Sequence, residues 1–415
     1  MKERMQNGGC GPMLLATAMF VLVVACGITE IGSGTYPDVG EQEGIASPFR
    51  PVCCVLGMEY PSGYDWNADD RNGEVKCSLI VFADGVPKIK VPVGDGYEVS
   101  SDPDMNRMID GNLYTFYSKG GQTVMKCNGR PLFRYEADEV LVDMAVRGDD
   151  VYTLAHRRSE GGFALRRNGE IRLERLSGET FGGFWDDGDC LCFAFVQPVA
   201  LPDRMEHRHY IAYDSKAVSV SGNEAIDKVW DIMSYNGTPC ILASLKLTGE
   251  ACILNDGRTR VLEIPKPATM LSGRLFPADS LLGVECMYLY PDGVCESGIW
   301  VNGSEYMRFE AGCSIQSLEY KDGRAYCILD PDQGEDIIFN SGDMEPMPDG
   351  YFCVNERAMT VHDGGLYVGL SSDNGGYPLV WHEGKKDTLR FNGCISSISF
   401  SVPAGNQSSQ VRMRD

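Results

Sequence analysis

Gly298-Ile299-Trp300-Val301-Asn302-Gly303 is a short apolar run that ends in a two-residue turn signal. Signals of this kind return along the chain at intervals of 39 to 46 residues. The eight members of the series are Asp84-Gly85, Asn128-Gly129, Asn168-Gly169, Asp214-Ser215, Asp256-Gly257, Asn302-Gly303, Ser341-Gly342 and Glu383-Gly384. Asn-Gly and Asp-Gly favour the positive φ angles of tight hairpin turns. Each signal therefore predicts a β-hairpin between two antiparallel strands.

A second series of turn signals lies between the members of the first. It consists of Asp110-Gly111, Gly148-Asp149, Asp187-Gly188, Asn236-Gly237, Pro277-Ala278-Asp279, Asp322-Gly323 and Asp363-Gly364. Two hairpins in each period give four strands per repeat. A period of this length carried by hairpins is typical of a β-propeller. The sequence therefore predicts an all-β fold, a β-propeller of four-stranded blades.

The two ends of the repeat region predict how the propeller closes. Residues 393–400 form a last strand without a following hairpin, whereas residues 52–58, 75–83 and 86–91 supply three strands before the first complete repeat. If the C-terminal strand joins these three, the chain has eight blades and no free sheet edge in the ring. Seven blades is the alternative if the N-terminal strands lie elsewhere.

The N-terminal residues carry an export signal. Lys2 and Arg4 precede an apolar run over residues 13–25, and Cys26 follows directly. A basic head and an apolar stretch too short to span a bilayer are typical of a secretory signal peptide. The run Val23-Val24-Ala25-Cys26 resembles a bacterial lipobox, which implies that Cys26 becomes the lipidated N-terminus. The alternative is an ordinary signal peptide with an unrelated cysteine.

These features divide the chain into four segments. They are a lipoprotein signal peptide over residues 1–25, a lipid-anchored flexible tether over 26–49, a single β-propeller domain over 50–402 and a disordered tail over 403–415. Together, the export signal and the repeat resemble the propeller-type lipoproteins of Gram-negative cell envelopes. This resemblance implies an outer-membrane lipoprotein, periplasmic or surface-facing, that touches the membrane through its lipid anchor only.

The charge of the chain limits its partners. The 415 residues carry a formal net charge of −22, and residues 1–25 contribute +1 through Lys2, Glu3 and Arg4, so the mature chain carries about −23. Nucleic acid and anionic membrane surfaces repel such a protein. We therefore predict no nucleic-acid partner, and a glycan or an envelope protein as the ligand.

The sixteen cysteines show no paired CxxC spacing. Cys192, Cys240, Cys286 and Cys327 lie in apolar runs, where a small buried thiol suits a sheet interior. Cys190 and Cys192 are two residues apart and would share one face of a strand. The pattern favours structural packing, with one or two disulfides as the alternative in an oxidising compartment.

Ligand contacts are predicted on the face that carries the connections between second and third strands, because these connections vary in length while the tight turns repeat. The candidate contacts are Trp66, His156, Arg157, Arg204, His207, Arg208 and His209. The basic side chains suit an anion or a sugar acid, and Trp66 suits a sugar ring. His207 and His209 could also chelate a metal ion from one side of an extended chain. A solvated polar loop is the alternative for residues 204–209.

Two acidic stretches resemble calcium-binding loops. Their candidate ligands are Asp65, Asn67 and Asp69 in the first and Asp330, Asp332 and Asp336 in the second. Oxygen side chains at alternate positions suit calcium, a hard cation. An acidic turn that contacts only water is the alternative for each, and the sequence predicts no other cofactor.

No catalytic residue is predicted. The sequence has no GxSxG elbow, no HExxH motif and no phosphate-binding loop. The predicted function is therefore a lipid-anchored binding or interaction module of the cell envelope. The alternative is a carbohydrate-active enzyme, a glycoside hydrolase or lyase on the same scaffold, which requires carboxylates held at set separations.

Overall fold

The computed structural model describes two short pairs, residues 23–24 and 27–28, and most of the repeat region. The ranges described there are 52–60, 78–91, 98–99, 106–109, 111–119, 122–136, 139–157, 161–175, 177–187, 190–202, 205–220, 226–255, 258–309, 311–332 and 334–401. The fold is all-β, an eight-bladed propeller of four-stranded blades. The predicted fold class is confirmed, and the seven-bladed alternative is wrong.

The chain divides into two compact units, Met1–Ala137 with Pro348–Asp415, and Asp138–Met347. The first unit begins with strands β1 (Val23–Val24), β2 (Gly27–Ile28), β3 (Val52–Glu59), β4 (Ser78–Ala83), β5 (Val86–Val91), β6 (Glu98–Val99), β7 (Arg107–Ile109), β8 (Asn112–Lys119), β9 (Gln122–Cys127) and β10 (Arg130–Arg134). In blade 2, β8, β9 and β10 pair in that order, and both β6 and β7 pair with β8.

The second unit contains five blades of four consecutive antiparallel strands each. Blades 3 and 4 consist of β11 (Glu139–Arg147), β12 (Asp150–Arg157), β13 (Phe163–Arg167) and β14 (Glu170–Arg175), then β15 (Glu179–Asp186), β16 (Leu191–Ala200), β17 (Met205–Tyr213) and β18 (Lys216–Ser219). Blade 5 consists of β19 (Ile226–Tyr235), β20 (Thr238–Leu245), β21 (Ala251–Asn255) and β22 (Arg258–Val261). Blades 6 and 7 consist of β23 (Thr269–Ala278), β24 (Leu281–Leu289), β25 (Cys295–Val301) and β26 (Ser304–Arg308), then β27 (Cys313–Lys321), β28 (Arg324–Pro331), β29 (Ile337–Asn340) and β30 (Asp343–Pro346).

The first unit resumes with blade 8 and the last strand. The elements are β31 (Tyr351–Cys353), a 3₁₀ turn (Glu356–Ala358), β32 (Met359–His362), β33 (Gly365–Ser372), β34 (Leu379–His382), β35 (Lys385–Thr388) and β36 (Gly393–Ser401). In blade 8, both β31 and β32 pair with β33. No helix within the described part of the chain has the length and apolar character needed to cross a membrane.

Blade 1 is built from both ends of the chain. Its strand order is β36-β3-β4-β5, and β36 pairs with β3 from Val52↔Ser401 to Glu59↔Gly393. A C-terminal strand therefore completes a sheet whose other three strands come from the N-terminal side. The predicted closure is confirmed.

The repeated turns have the backbone geometry that their residues favour. Asn302 has a φ of 52° and Gly303 a φ of 77°. Positive φ also occurs at the first residue of the other described turns in the first series, Asp84, Asn128, Asn168, Asp214, Ser341 and Glu383, whereas Asp256-Gly257 lies outside the described residues. The asparagine side chain has a further role at Asn168, whose Oδ1 accepts a hydrogen bond from Val151 N at 2.9 Å. Local chemistry therefore accounts for the hairpins between third and fourth strands.

Apolar side chains pack between neighbouring sheets within each unit. Between blades 4 and 5, a buried cluster contains Cys192, Ala194, Ile211, Ile232, Ile241, Ala243 and Cys252. Cys240, Cys286 and Cys327 are buried as well, so the packing predicted for these thiols is confirmed. The cysteines of the described residues are free thiols.

Two aspartates, the buried Asp143 and the half-buried Asp231, also join neighbouring blades within the second unit. Asp231 lies on the first strand of blade 5, where Oδ1 accepts from Ile232 N at 2.8 Å and Oδ2 accepts from Leu275 N of blade 6 at 2.7 Å. Asp143 of blade 3 makes the same arrangement with Met144 N at 2.8 Å and Phe184 N of blade 4 at 2.6 Å. Burial raises the pKa of Asp231, and the backbone N–H groups partly oppose that rise. These carboxylates satisfy N–H groups at the blade interfaces.

Candidate functional site on blade 4

The hairpin between the second and third strands of blade 4 extends beyond the rest of its sheet. β16 and β17 pair from Cys192↔Tyr213 to Ala200↔Met205. The pairing of β15 with β16 reaches only Val196, and that of β18 with β17 reaches only Tyr210. Residues 197–200 and 205–208 therefore pair with each other and with no other described strand. We call this two-stranded extension, residues 197–200 and 205–208, the ribbon.

One face of the ribbon is exposed. Because Pro198 lies opposite His207 and Ala200 opposite Met205, these four side chains share a face. All four are exposed, and Met205 retains 58% of its accessible surface. The face is therefore mainly apolar and carries one imidazole.

The other face of the ribbon is half-buried. It carries Gln197, Val199, Glu206 and Arg208. The Arg208 Nε donates to Glu206 Oε1 at 3.0 Å, so this guanidinium already has a carboxylate partner. The two faces therefore separate Arg208 from His207, which are adjacent in sequence.

The structure changes the interpretation of residues 204–209. The alternative of a solvated loop is wrong for residues 205–209, since Met205–Tyr213 is a strand, and Arg204 lies outside the described residues. His207 and His209 do occupy the same side of that strand. Burial, together with nearby His207, lowers the pKa of the half-buried His209. The imidazoles are thus close to each other at the base of the exposed face.

His156 and Arg157 contact groups of their own protein. The His156 Nδ1 lies 3.2 Å from Gly162 O, and its Nε2 lies 3.1 Å from Thr180 Oγ1. The Arg157 Nη2 lies 2.5 Å from Glu174 Oε1. Thr180 is on β15, so His156 connects blade 3 to blade 4. The structure therefore gives both predicted ligand contacts intramolecular partners.

The first candidate calcium stretch, with Asp65, Trp66, Asn67 and Asp69, lies outside the described residues. In the second stretch, Asp332 N donates to Gly312 O at 2.6 Å and Asp336 is buried. Asp330, Asp332 and Asp336 do not bring three oxygens within 4.8 Å of one another. Among the described residues, the His, Cys, Asp and Glu side chains that do converge in this way are Asp187, Cys190 and Cys192, at the opposite end of blade 4 from the ribbon.

Neither a protein-family model nor a curated protein matches this chain. Solved structures do. The β-propeller domain of the Trilobed protease from Pyrococcus furiosus is similar at a TM-score of 0.44 and 10% identity, over 71% of this chain and 92% of that domain. A quinonprotein alcohol dehydrogenase-like protein from Bacteroides thetaiotaomicron is similar at a TM-score of 0.38 and 10% identity, over 84% of this chain and 91% of that one.

A prolyl endopeptidase is also similar, at a TM-score of 0.43 and 11% identity over 74% of this chain. The chain spans about half the length of that enzyme, 50%, and of a puromycin-hydrolysing peptidase from Mycobacterium tuberculosis, 52%. At such identities a likeness concerns the fold alone. The site must therefore be judged from its own residues.

Proposed function

We propose that this chain is an exported, lipid-anchored binding module of a bacterial cell envelope, with the ribbon of blade 4 as its main contact surface. Export and anchoring are supported by the basic head, the apolar run over residues 13–25 and Cys26. Binding is supported by one observation, the extension of β16 and β17 beyond both neighbouring strands.

A two-stranded extension whose outer edges pair with no described strand has the chemistry of a contact surface. Its outward backbone N–H and C=O groups can pair with an added strand, and alternate side chains can fill pockets in the partner. The exposed side chains Pro198, Ala200 and Met205 provide apolar area next to these edges. Small apolar side chains and free backbone edges suit an extended protein segment better than a sugar ring. A protein of the envelope is therefore the favoured ligand, and a glycan is the second.

The ribbon is tested by photo-crosslinking from the full chain in its own envelope. A photoreactive residue at position 205 is compared with one at Leu247, a more accessible side chain that is 96% exposed in the connection between β20 and β21. We expect a discrete crosslinked protein from position 205 and none from position 247. The purified partner should then bind the full chain and lose about tenfold or more in affinity, about 1.4 kcal/mol, when residues 198–207 are replaced by an Asn-Gly turn.

A glycan array probed with and without calcium separates the alternatives. Glycan binding that needs the ribbon retains the binding module and changes its ligand class, whereas release of a cleaved product, detected by mass spectrometry, supports the carbohydrate-active enzyme instead. Equal crosslinking from positions 205 and 247 contradicts the ribbon as the contact surface.

Lipid anchoring has a separate test. The Cys26→Ser variant should lose labelling by a clickable fatty acid while the unchanged chain is labelled. Persistent labelling of the variant would contradict Cys26 as the lipidated residue. A chain that lacks the lipid but still binds its partner would leave the contact surface established and remove only the anchor.

A further inference from the structure

The end of blade 4 opposite the ribbon brings two thiols and a carboxylate together. Asp187 follows β15 directly, Cys190 precedes β16, and Cys192 is the second residue of β16. One ligand atom from each of the three side chains lies within 4.8 Å of the others. The Cys190 and Cys192 sulfurs are 3.6 Å apart.

The local chain conformation explains how the two thiols meet. Asp187 N donates to Cys190 O at 3.0 Å and closes the turn between β15 and β16. Cys190 and Cys192, two residues apart, then point to the same side of the extended chain. Cys192 is fully buried and lies between Trp185 on β15 and Tyr213 on β17, while Cys190 and Asp187 are half-buried. Cys192 thus fixes the cluster from the inside, and Cys190 and Asp187 leave it partly accessible from the outside.

The carboxylate of Asp187 is held by one oxygen only. Its Oδ2 accepts from Gly237 N at 3.0 Å and from the Ser234 hydroxyl, both in blade 5. Tyr213 in turn donates its hydroxyl hydrogen to Ser234 Oγ at 3.2 Å. The Oδ1 of Asp187 is buried and has no hydrogen-bond partner among the described residues. A buried carboxylate oxygen without a partner is costly, and a bound ion or water molecule can supply that partner.

We propose that Asp187, Cys190 and Cys192 bind a zinc ion. Zinc at about 2.3 Å from each of two tetrahedral thiolate ligands places the sulfurs about 3.8 Å apart, close to the separation seen here. The Asp187 Oδ1 supplies the third ligand. Ser234 and Gly237 hold the other oxygen, as outer hydrogen bonds commonly orient a ligating carboxylate.

Other occupants fit the three side chains less well. Calcium and magnesium prefer oxygen ligands only, and two of these three ligands are sulfur. A disulfide requires a sulfur separation of about 2.05 Å and gives the Asp187 Oδ1 no partner. Three protein ligands leave a fourth position of the tetrahedron to a water molecule or an incoming group. The proposed site therefore has one coordination position that is not filled by the three side chains.

The experiment uses the full chain, purified in detergent, reduced and stripped of metal. Zinc affinity is measured by competition with a colorimetric chelator, and cobalt(II) serves as a spectroscopic probe of the ligands. The cluster variants are Cys190→Ala, Cys192→Ala and Asp187→Asn. The matched controls are Cys286→Ala, a buried thiol of blade 6, and Asp279→Asn, a turn aspartate of the same blade. Near-ultraviolet circular dichroism confirms that each variant is folded.

We expect about one saturable zinc site per chain, a tetrahedral cobalt spectrum with sulfur-to-metal charge transfer, and loss of both in the cluster variants only. An affinity that falls equally in the controls overturns the proposal. So does the absence of a saturable site in the reduced chain, or a cobalt spectrum without the charge-transfer band. A Cys190–Cys192 disulfide that forms in the chain and is not reversed by zinc under reducing conditions overturns it as well.

Discussion

Asp187 in blade 4 and Asp279 in blade 6 occupy the same place in the fold but differ in their bonding. Each belongs to the turn between the first and second strands, and each reaches the corresponding turn of the next blade. Asp279 Oδ1 accepts from Asp322 N at 3.0 Å, and its Oδ2 accepts from Gly323 N at 2.7 Å. Asp187 instead places one oxygen on Gly237 N, at 3.0 Å, and leaves the other buried without a partner.

The surrounding side chains explain what this difference means. Leu282 is the second residue of β24, the position that Cys192 occupies in β16. Blade 6 therefore has an apolar side chain where blade 4 has a thiol, and its aspartate has only a structural role. The turn aspartate contacts the next blade in both cases. It becomes a candidate metal ligand only in blade 4, where two neighbouring thiols can bind the same cation.

Replacement of Asp231 should have the largest effect. Like Asp279, Asp231 accepts hydrogen bonds with both carboxylate oxygens, but it is more buried. Asp231→Ala leaves the N–H groups of Ile232 and Leu275 without their acceptor. We expect a loss of about 2–4 kcal/mol in the free energy of unfolding, measured by denaturant titration. Asp343→Ala, at an exposed position on β30, is the control and should change stability by about 0.5 kcal/mol or less. Equal losses in the two variants would show that the blade interface does not depend on this carboxylate.

The next largest effect is the stabilisation of the folded chain by zinc, which should differ between variants of the two turn aspartates. Free zinc at about 100 times its Kd should raise the free energy of unfolding of the unchanged chain by about 2.7 kcal/mol. Asp279→Ala should gain the same amount, because its site lies in another blade. Asp187→Ala should gain nothing, and a gain equal to that of the unchanged chain would contradict the assignment of Asp187 as a ligand.

In the absence of zinc, Asp279→Ala should be less stable than Asp187→Ala, which is the reverse of the order expected with zinc. Asp279→Ala removes an acceptor from two backbone N–H groups and should lower stability by about 1–2 kcal/mol. Asp187→Ala also removes acceptors, but it eliminates a buried oxygen without a partner, which offsets part of the loss. We expect a loss below about 1 kcal/mol for Asp187→Ala in chelator-treated protein. A larger loss than in Asp279→Ala would mean that the carboxylate of Asp187 is fully satisfied without metal.

The smallest effect is expected at the ribbon end of blade 4, where His209 should make the stability of the chain depend on pH. Burial lowers the pKa of His209 below its ordinary value of 6.5, so the unfolded chain binds a proton more readily than the folded chain. Stability should therefore fall as the pH falls below about 6.5 towards the lowered folded pKa. Unfolding measured at about pH 7.5 and about pH 5.5 should show a smaller decrease for His209→Gln than for the unchanged chain. Identical decreases would contradict a lowered pKa of the half-buried His209.

Local chemistry explains why the fold could be predicted. Asp, Asn and Gly at the turns determine the backbone conformation over two residues, and the regular spacing of these turns specifies the strands. The shared face of Cys190 and Cys192 follows in the same way from the two-residue period of a strand. The partners of Asp187 do not, because Ser234 and Gly237 lie in the next blade, 47 and 50 residues away along the chain.

The ribbon shows a second reason for a wrong prediction. Pro198 and Pro202 disfavour an interior strand, since proline cannot donate to a sheet ladder. In the described part of the chain, each strand of the ribbon pairs on one side only, so Pro198 can lie opposite His207 without interrupting an interior ladder. The ribbon strands can therefore contain proline because no described strand pairs along their outer edges. Residue preferences alone do not show which strands lack such a neighbour.

X-ray absorption spectroscopy of the zinc-loaded full chain tests the central claim most directly. We predict two sulfur neighbours at about 2.3 Å and oxygen neighbours at about 2.0–2.2 Å, with the two-sulfur shell lost in Cys192→Ala. A first shell of nitrogen and oxygen atoms only would contradict zinc binding by Asp187, Cys190 and Cys192.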